Sequence, residues 1–285
     1  MTNATVPTVE FGQTGRSVTR VGLGGEGVLR THMQTLQARE VIYEAIAEGI
    51  AYFDSAQAYA GSEGYYGTVW TESPQVRSRV FQTSKSASRS MAGAFADLES
   101  TLANMGVDYL DLWQIHDVRT EEELEEIAGP GGALEAFLEA KSSGKVRSIG
   151  VTGHHDPEIL TKAVEAWPVD SVMIPVNPVE AVVGGFLTST LPAARKKGIA
   201  IIGMKILGAS YYLQPTLGAS PEMLIRFALS HDITVAIVGC SNPQEVQSLA
   251  KAGREFSPMS EAEISELVQT FTPYASKLAF YRGVL

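Results

Sequence analysis

Three short apolar segments of this sequence each end on an ionisable residue, where turn residues are more usual. The first ends on Asp54, the second on Lys85 and the third on His116, and Tyr59 follows Asp54 by five positions. Taken singly, each residue is better explained by a structural role, as a turn cap, a half-buried aromatic, an exposed amine or a core side chain. An acid, a phenol, an amine and an imidazole gathered at one place would instead form a proton-transfer site.

The elements that must position these residues are short strands alternating with stretches of helical period. Most of the strand segments are continuous apolar runs rich in Val and Ile, which is typical of a parallel sheet covered on both faces. The eight predicted strands are residues 18–23, 51–54, 79–85, 110–116, 146–152, 171–176, 199–204 and 234–238.

Eight strands alternating with helices, without a long linker, predict an α/β fold with one (β/α)₈ TIM barrel over residues 1–285. A doubly wound open sheet is the alternative, and it would offer a Gly-x-Gly-x-x-Gly turn after its first strand. The glycines of Gly22–Gly27 fit that spacing only in part. Two further segments, 8–11 and 17–20, flank a glycine-containing turn and predict an N-terminal β-hairpin that closes the bottom of the barrel.

Composition narrows the class of protein. The net charge of −10 argues against nucleic acid or an anionic membrane as the main partner. The single cysteine, Cys240, excludes a disulfide within the chain and an all-cysteine metal site. The first residues lack the basic and apolar pattern of a signal peptide, so a cytoplasmic protein is expected. The apolar stretch 198–209 is interrupted by Lys205 and is too short for a bilayer.

In a barrel the carboxyl ends of the strands meet at one face, so Asp54, Lys85 and His116 are expected as neighbours there, with Tyr59 in an adjoining loop. A free phenol has a pKa of about 10, and a nearby ammonium lowers it, while a carboxylate keeps that ammonium charged. The set suits delivery of a proton to a carbonyl oxygen as a hydride reaches its carbon. Because no side chain supplies a hydride, a nicotinamide cofactor is implied.

At this point the sequence resembles the aldo-keto reductase superfamily over nearly the whole chain. The motifs that carry the resemblance are Phe11-Gly12-x-Thr14-Gly15, Phe53-Asp54-Ser55-Ala56 with Tyr59, Gly61-Ser62-Glu63 with Gly67, Thr83-Ser84-Lys85, Leu110-Asp111-Leu112-x-x-Ile115-His116, and Gly144-Lys145-Val146-Arg147-x-Ile149-Gly150-Val151-Thr152. The resemblance implies a catalytic tetrad of Asp54, Tyr59, Lys85 and His116, and NAD(P)H-dependent reduction of a small carbonyl substrate. Tyr59 would be the general acid of that reduction.

The cofactor positions match the family less closely. Thr152-Gly153 stands where members commonly have Ser-Asn, Met173 replaces a glutamine, and Met204 replaces the tyrosine that stacks on the nicotinamide. The Met204 sulfur could still pack on the ring, although core filling is an equally good explanation for both methionines. The other candidate cofactor contacts on this side are Gly24, Gly25, Lys205 and Leu207.

The adenosine phosphates are expected near Gly239, Cys240 and Ser241, because Asn242 can cap a helix that begins with Pro243. The lysine and arginine that hold a 2′-phosphate in the family correspond to Gly239 and Glu245. The usual preference of the family is for NADPH. The carboxylate of Glu245 would repel the 2′-phosphate of NADPH and is compatible with NADH. NADPH is the prediction, with NADH as the alternative.

Two other functions stay open. One is a cofactor-binding regulatory protein with the same fold and little turnover, and the other is a metal-dependent hydrolase that uses Asp54 and His116. No metal site is predicted: His154 and His155 follow the fifth strand, but adjacent loop side chains are poor partners for one ion. The sequence identifies neither the physiological substrate nor the oligomeric state; the substrate pocket is expected to involve the tail, residues 257–285.

Overall fold

The computed structural model describes residues 5–283, and ten strands account for its sheets. They are β1 Thr8–Glu10, β2 Ser17–Thr19, β3 Val21–Gly27, β4 Tyr52–Phe53, β5 Phe81–Ser86, β6 Leu112–Ile115, β7 Ile149–Thr152, β8 Ser171–Pro175, β9 Ala200–Met204 and β10 Val235–Cys240. Strands β3 to β10 close into one parallel barrel in the order β10-β3-β4-β5-β6-β7-β8-β9. The barrel prediction is therefore confirmed, and the open sheet is excluded.

Helices connect the strands and cover the outside of the barrel. They are α1 Thr35–Ala47, α2 Ser62–Glu72, α3 Pro74–Arg77, α4 Met91–Met105, α5 Glu121–Ala128, α6 Ala133–Ser142, α7 Pro157–Ala166, α8 Pro178–Val183, α9 Leu191–Lys197, α10 Pro221–Leu229, α11 Pro243–Arg254, α12 Glu261–Phe271 and α13 Ala275–Leu278. Shorter helical turns lie at Val28–Arg30, Phe186–Thr190, Gly208–Leu213, Pro215–Leu217, Thr272–Tyr274 and Phe280–Arg282. Within residues 5–283, no helix combines the length and the apolar character that a bilayer crossing requires.

The predicted N-terminal hairpin is also confirmed. Strands β1 and β2 pair antiparallel, and Phe11 and Val18 are fully buried. These two side chains belong to the apolar cluster inside the barrel, where the Phe11 ring lies 4.7 Å from the Phe81 ring, centroid to centroid. The hairpin thus closes one end of the barrel and leaves the other end for chemistry.

The first predicted strand, residues 18–23, is wrong in its bounds. The chain leaves the hairpin at Arg20, whose backbone N–H donates to the Pro7 carbonyl, and β3 begins only at Val21. Strand β3 then continues four residues beyond Leu23, through the glycines. Gly24 lies so close to the backbone of β10 that a Cβ would stand 2.9 Å from the Gly239 nitrogen. Because this part of β3 pairs through glycine backbone, its sequence lacks the apolar side chains by which a buried strand is predicted.

Asp111 links the hairpin to the bottom of the barrel. This fully buried carboxylate accepts from Arg77 at 2.8 Å, from Arg147 at 2.9 Å, from Arg16 of the hairpin turn at 3.1 Å, and from the Gln82 backbone N–H at 3.0 Å. Burying a carboxylate is costly unless its lone pairs are all engaged, and here four donors engage them.

Replacement of Asp111 should therefore be strongly destabilising. We expect Asp111→Ala to lower the free energy of unfolding by about 3–5 kcal/mol, because Arg77 is left buried without its partner. Urea unfolding followed by circular dichroism measures the change, and Asp108→Ala, at an exposed position three residues away, is the matched control. Equal unfolding midpoints for the two variants would contradict the role of this ion-pair cluster.

Candidate active site

A buried ion pair between Asp54 and Lys85 forms the floor of the site. Asp54 follows β4 and Lys85 lies on the neighbouring β5, and both side chains are buried. The Lys85 Nζ lies 2.8 Å from Asp54 Oδ1 and 2.7 Å from Oδ2, and it donates to the Ser55 carbonyl at 2.8 Å. Thr83 donates a further bond to Asp54 Oδ1 at 3.0 Å.

This arrangement engages the whole ammonium group. A lysine has three protons to donate, and three oxygens of Asp54 and Ser55 surround Nζ. Burial lowers the pKa of Lys85, and the charge of Asp54 opposes that shift. The carboxylate is thus what favours a charged lysine in a buried position.

The face of the Tyr59 ring packs against this ion pair. Its aromatic centroid lies 4.8 Å from Lys85 Nζ and 4.9 Å from the Arg30 guanidinium carbon. Gly25 makes room for the ring, since a Cβ at that position would stand 2.4 Å from Tyr59 Cε2. Two cations against one ring fix its orientation by cation–π attraction.

The pKa of Tyr59 differs from the expectation drawn from the sequence. Desolvation, and next the negative charge of Asp54, raise the pKa of this phenol well above its ordinary value. The expected lowering by Lys85 is wrong for this structure, because the ammonium is committed to Asp54 and Ser55 and faces the ring rather than the hydroxyl. Tyr59 is consequently a protonated phenol at neutral pH.

His116 completes the group at the end of β6. Its ring lies edge-on to the ring of Tyr59, with centroids 5.7 Å apart. The backbone is fixed from both sides, since its N–H donates to the Ser86 carbonyl at 2.8 Å and its carbonyl accepts from Arg89 at 2.9 Å. Burial, reinforced by the charge of Lys85, lowers the pKa of His116 to about 3. The imidazole is therefore neutral and can donate a hydrogen bond without carrying charge.

A cavity of about 670 Å³ leads from this group toward the amino terminus of α11. Ten of the twelve predicted cofactor residues line it: Gly24, Gly25, Met173, Met204, Lys205, Leu207, Gly239, Cys240, Ser241 and Glu245. Asp54 and Tyr59 line its inner end. The lining of the cavity thus includes both Asp54 and Tyr59 and the residues at the start of α11.

A second cavity, of about 500 Å³, opens on the other side of Tyr59. Lys85, His116 and Thr152 contribute to its wall, as do Phe280 and Tyr281 from the tail. Its lining shares five residues with the first cavity: Glu26, Tyr59, Met173, Met204 and Lys205. The phenol of Tyr59 thus lies where the two cavities meet.

Two predicted cofactor residues are not on the first cavity. Thr152 borders the second cavity, where its hydroxyl accepts from the Asp117 backbone N–H at 2.8 Å. Gly153 is buried outside the lining of either cavity, and a Cβ there would stand 3.0 Å from the Val118 carbonyl oxygen. Tight backbone packing explains this glycine.

The predicted helix start at Asn242 is confirmed. The Asn242 side chain accepts from the Glu245 N–H at 3.0 Å, and Pro243 occupies the first turn of α11. The carboxylate of Glu245 folds back to accept from the Ser241 N–H at 2.7 Å and from the Asn242 amide at 3.0 Å. Cys240, beside them, is buried, and burial raises the pKa of its thiol to about 12, which leaves an inert side chain.

Four charged residues at the barrel mouth were not identified from the sequence: Glu26, Arg30, Arg89 and Asp117. Glu26, near the end of β3, and Arg30, in the turn after it, form an ion pair of 2.6 Å beside Tyr59. Arg89 holds the carbonyls of His116 and Asp117. The signal that identified Asp54 would have found Glu26 and Asp117 too, since both come at the carboxyl ends of barrel strands.

An eight-stranded parallel barrel with this charged group at its mouth defines the structural class, and comparison with known proteins gives the family. A sequence model described as "Aldo/keto reductase family" matches residues 20–216. The chain belongs to this family.

Individual relatives are more distant. An aldo-keto reductase of Mycobacterium sp. (strain KMS) is 30% identical over 168 residues, which cover 58% of this chain and 55% of that protein. A D-galacturonate reductase of Fragaria ananassa is 28% identical over 234 residues, covering 73% and 69%. An aldo-keto reductase of Klebsiella pneumoniae solved with NADPH superposes with a TM-score of 0.75 at 20% identity, over 94% of this chain and 96% of that one. The chain spans 55% to 62% of the length of three curated relatives.

The depressed pKa of His116 should appear in the pH dependence of stability. An unfolded histidine has a pKa of about 6.5, so the unfolded chain takes up a proton that the folded chain refuses until about pH 3. The free energy of unfolding must then fall as the pH drops through this window. We expect His116→Gln to lose less stability than the wild type between pH 7 and pH 4.5.

Urea unfolding at both pH values measures this difference. His154 and His231, whose pKa values burial also lowers, remain in both proteins and cancel in the comparison. His32→Gln, at an exposed position, is the control and should behave as wild type. Equal losses in the wild type and in His116→Gln would show that this imidazole is not kept neutral by the fold.

Proposed function

We propose that this protein reduces an aldehyde or ketone to an alcohol with a nicotinamide cofactor, and that Tyr59 donates the proton. The observation that carries the proposal is the position of Tyr59 at the junction of two cavities, against the Asp54–Lys85 ion pair. Both cavities, of about 670 and 500 Å³, have the volume of ligand-binding pockets. Membership of the aldo/keto reductase family supports the same reaction.

The residues that line the first cavity include groups that would suit a dinucleotide. The backbone of Gly239 to Ser241 and the start of α11 would hold the phosphates, because a helix N-terminus favours anions. Met173 and Met204 would border the nicotinamide end. When bound, the cofactor supplies the hydride that no side chain can supply. The Klebsiella relative was solved with NADPH, which supports this assignment.

The side chains around the second cavity would then manage the proton. A carbonyl oxygen between Tyr59 and His116 would accept a hydrogen bond from each, and the raised pKa keeps the phenol protonated until charge develops on that oxygen. After the proton has left, Arg30 would stabilise the phenolate, since its positive charge opposes the rise in the pKa of Tyr59. His116, neutral above about pH 3, orients the substrate throughout.

Replacing the proton donor should separate chemistry from binding. We expect Tyr59→Phe to lower kcat by about 10²–10⁴-fold, the range of a positioned general acid, while the dissociation constant of the cofactor changes little. Steady-state rates with a panel of aldehydes and ketones, together with fluorescence titration of the reduced cofactor, give both quantities. Tyr43→Phe is the control, because the Tyr43 hydroxyl bonds Glu72 on the outer surface.

The same assay distinguishes the enzyme from its rival. A cofactor-binding regulatory protein of this fold would bind the cofactor tightly and oxidise it with none of the carbonyl compounds. Near wild-type turnover in Tyr59→Phe would instead disprove the proton-donor assignment while leaving the reductase intact.

Members of the family usually prefer NADPH. The charges around the adenosine end of this cavity instead favour a cofactor without a 2′-phosphate. Glu222 and Glu245 line this end, and Lys205, toward the nicotinamide end, is the only cation among the described residues that line the first cavity. Glu245 also occupies the Ser241 N–H, which a phosphate would otherwise use. We therefore propose that NADH is accepted alongside NADPH, and that Glu245 weakens the preference for NADPH.

Removing this one charge tests the idea. We expect Glu245→Gln to lower the ratio of KM for NADPH to KM for NADH by about tenfold, equivalent to about 1.4 kcal/mol, since an amide does not repel phosphate and its one oxygen can still accept from the Ser241 N–H. Glu255→Gln, an exposed position after the far end of α11, should leave the ratio unchanged. An unchanged ratio in Glu245→Gln would mean that the 2′ position lies away from this carboxylate.

A further inference from the structure

Three potential metal ligands converge on the substrate side of the barrel mouth. Asp117, His154 and His155 each offer one ligand atom, and these atoms all lie within 4.8 Å of one another. Asp117 follows β6 and the two histidines follow β7, so neighbouring strands bring them together. We propose that these three residues form a binding site for one divalent ion of the zinc class.

The spacing matches the coordination that zinc prefers. Bonds of about 2.0–2.1 Å at tetrahedral angles place ligand atoms about 3.3 Å apart. His154 Nε2 lies 3.3 Å from Asp117 Oδ1, and His155 Nε2 lies 3.8 Å from Asp117 Oδ2. The two imidazole rings stack with centroids 4.6 Å apart, so these sequence neighbours present their Nε2 atoms to the same carboxylate. Adjacent loop histidines were expected to be poor partners for one ion, and the stacking of these two rings is the feature that the sequence does not show.

The hydrogen bonds of His154 favour a cation. Its Nδ1 lies 2.8 Å from the Tyr281 carbonyl oxygen, which can only accept, so Nδ1 carries the proton and Nε2 of the neutral ring carries a lone pair. That lone pair faces Asp117 Oδ1, a buried oxygen without a hydrogen-bond partner among the described residues. Two electron-rich atoms 3.3 Å apart repel each other unless a proton or a metal ion lies between them. A histidine that donates its other N–H to a backbone carbonyl is also the usual arrangement around zinc.

The carboxylate is held in place before any ion arrives. Arg119 donates to Asp117 Oδ2 at 2.8 and 2.6 Å, and the Asp117 N–H donates to Thr152 at 2.8 Å. Arg89 donates to the Asp117 carbonyl at 2.8 Å. Arg119 is half-exposed and can release Oδ2, whereas Oδ1 is already free of donors. Two imidazoles and one carboxylate are a ligand set that suits zinc and leaves a coordination position open.

The site adjoins the proposed reaction centre without sharing its residues. Asp117 and His154 line the second cavity together with Tyr59 and His116. The Tyr281 carbonyl ties the tail to His154, so a bound ion would join the loops after β6 and β7 to the C-terminal segment. Such a link should raise the unfolding temperature by preferential binding to the folded chain.

Cobalt is the probe, because Co²⁺ replaces zinc and reports its coordination by its colour. We expect full-length protein, first treated with a chelator, to bind one Co²⁺ per chain with the visible absorption of a four- or five-coordinate nitrogen and oxygen site, and to lose that absorption on addition of ZnCl₂. Isothermal titration with ZnCl₂ gives the affinity. Asp117→Asn, and separately His155→Gln, should weaken binding by more than tenfold, since loss of an outer-shell partner alone costs about 10–100-fold.

His32→Ala is the matched control, because His32 is an exposed histidine far along the chain from this cluster. It should bind Co²⁺ as the wild type does, and circular dichroism verifies that every variant is folded. Wild-type affinity no higher than that of a His154→Ala/His155→Ala double variant, or an equal loss in His32→Ala, would overturn the proposal. None of these measurements requires turnover, so their failure would leave the proposed reductase activity untouched.

Discussion

The buried ion pair of Asp54 and Lys85 is the interaction on which the site depends. Removing two ions from water costs several kcal/mol each, and close charges with additional hydrogen bonds must offset that cost. The register of β4 and β5 provides them: Phe53 pairs with Gln82, so Asp54 comes level with Thr83, which donates to it, and Lys85 reaches it from two residues further along. A shift of one residue in either strand would turn one charge away from the other.

Much of the fold could be predicted from the sequence because a barrel repeats one simple signal. Continuous apolar strands separated by helical stretches identified all eight barrel strands, and the turn between residues 11 and 17 identified the hairpin. The pattern failed at β3, where Gly24 pairs by close backbone approach and shows no hydrophobic side chain. It also could not show that Asp111 joins three arginines brought together from distant parts of the chain.

The identities of the site residues could be predicted more easily than their protonation states and orientations. Residue type and strand-end position placed Asp54, Tyr59, Lys85 and His116 together. The pKa of Tyr59 moves opposite to expectation, because burial of the phenol and next the charge of Asp54 raise it. Gly153 likewise packs against backbone outside the cavities. The orientation of His154 and His155 depends on a carbonyl of Tyr281, more than a hundred residues away, and no local pattern reports that contact.

The electrostatic design of the mouth follows from these contacts. Lys85, Arg30 and Arg89 surround Tyr59 and His116, and carboxylates already engage all three cations, so the reaction centre carries little free charge. In the proposed reaction, a neutral phenol and a neutral imidazole would meet an uncharged carbonyl group without a desolvation penalty for ions. The charge of Arg30 lowers the pKa of Tyr59 and the charge of Glu26 raises it, so the ion pair that these two residues form acts on the phenol in opposite directions.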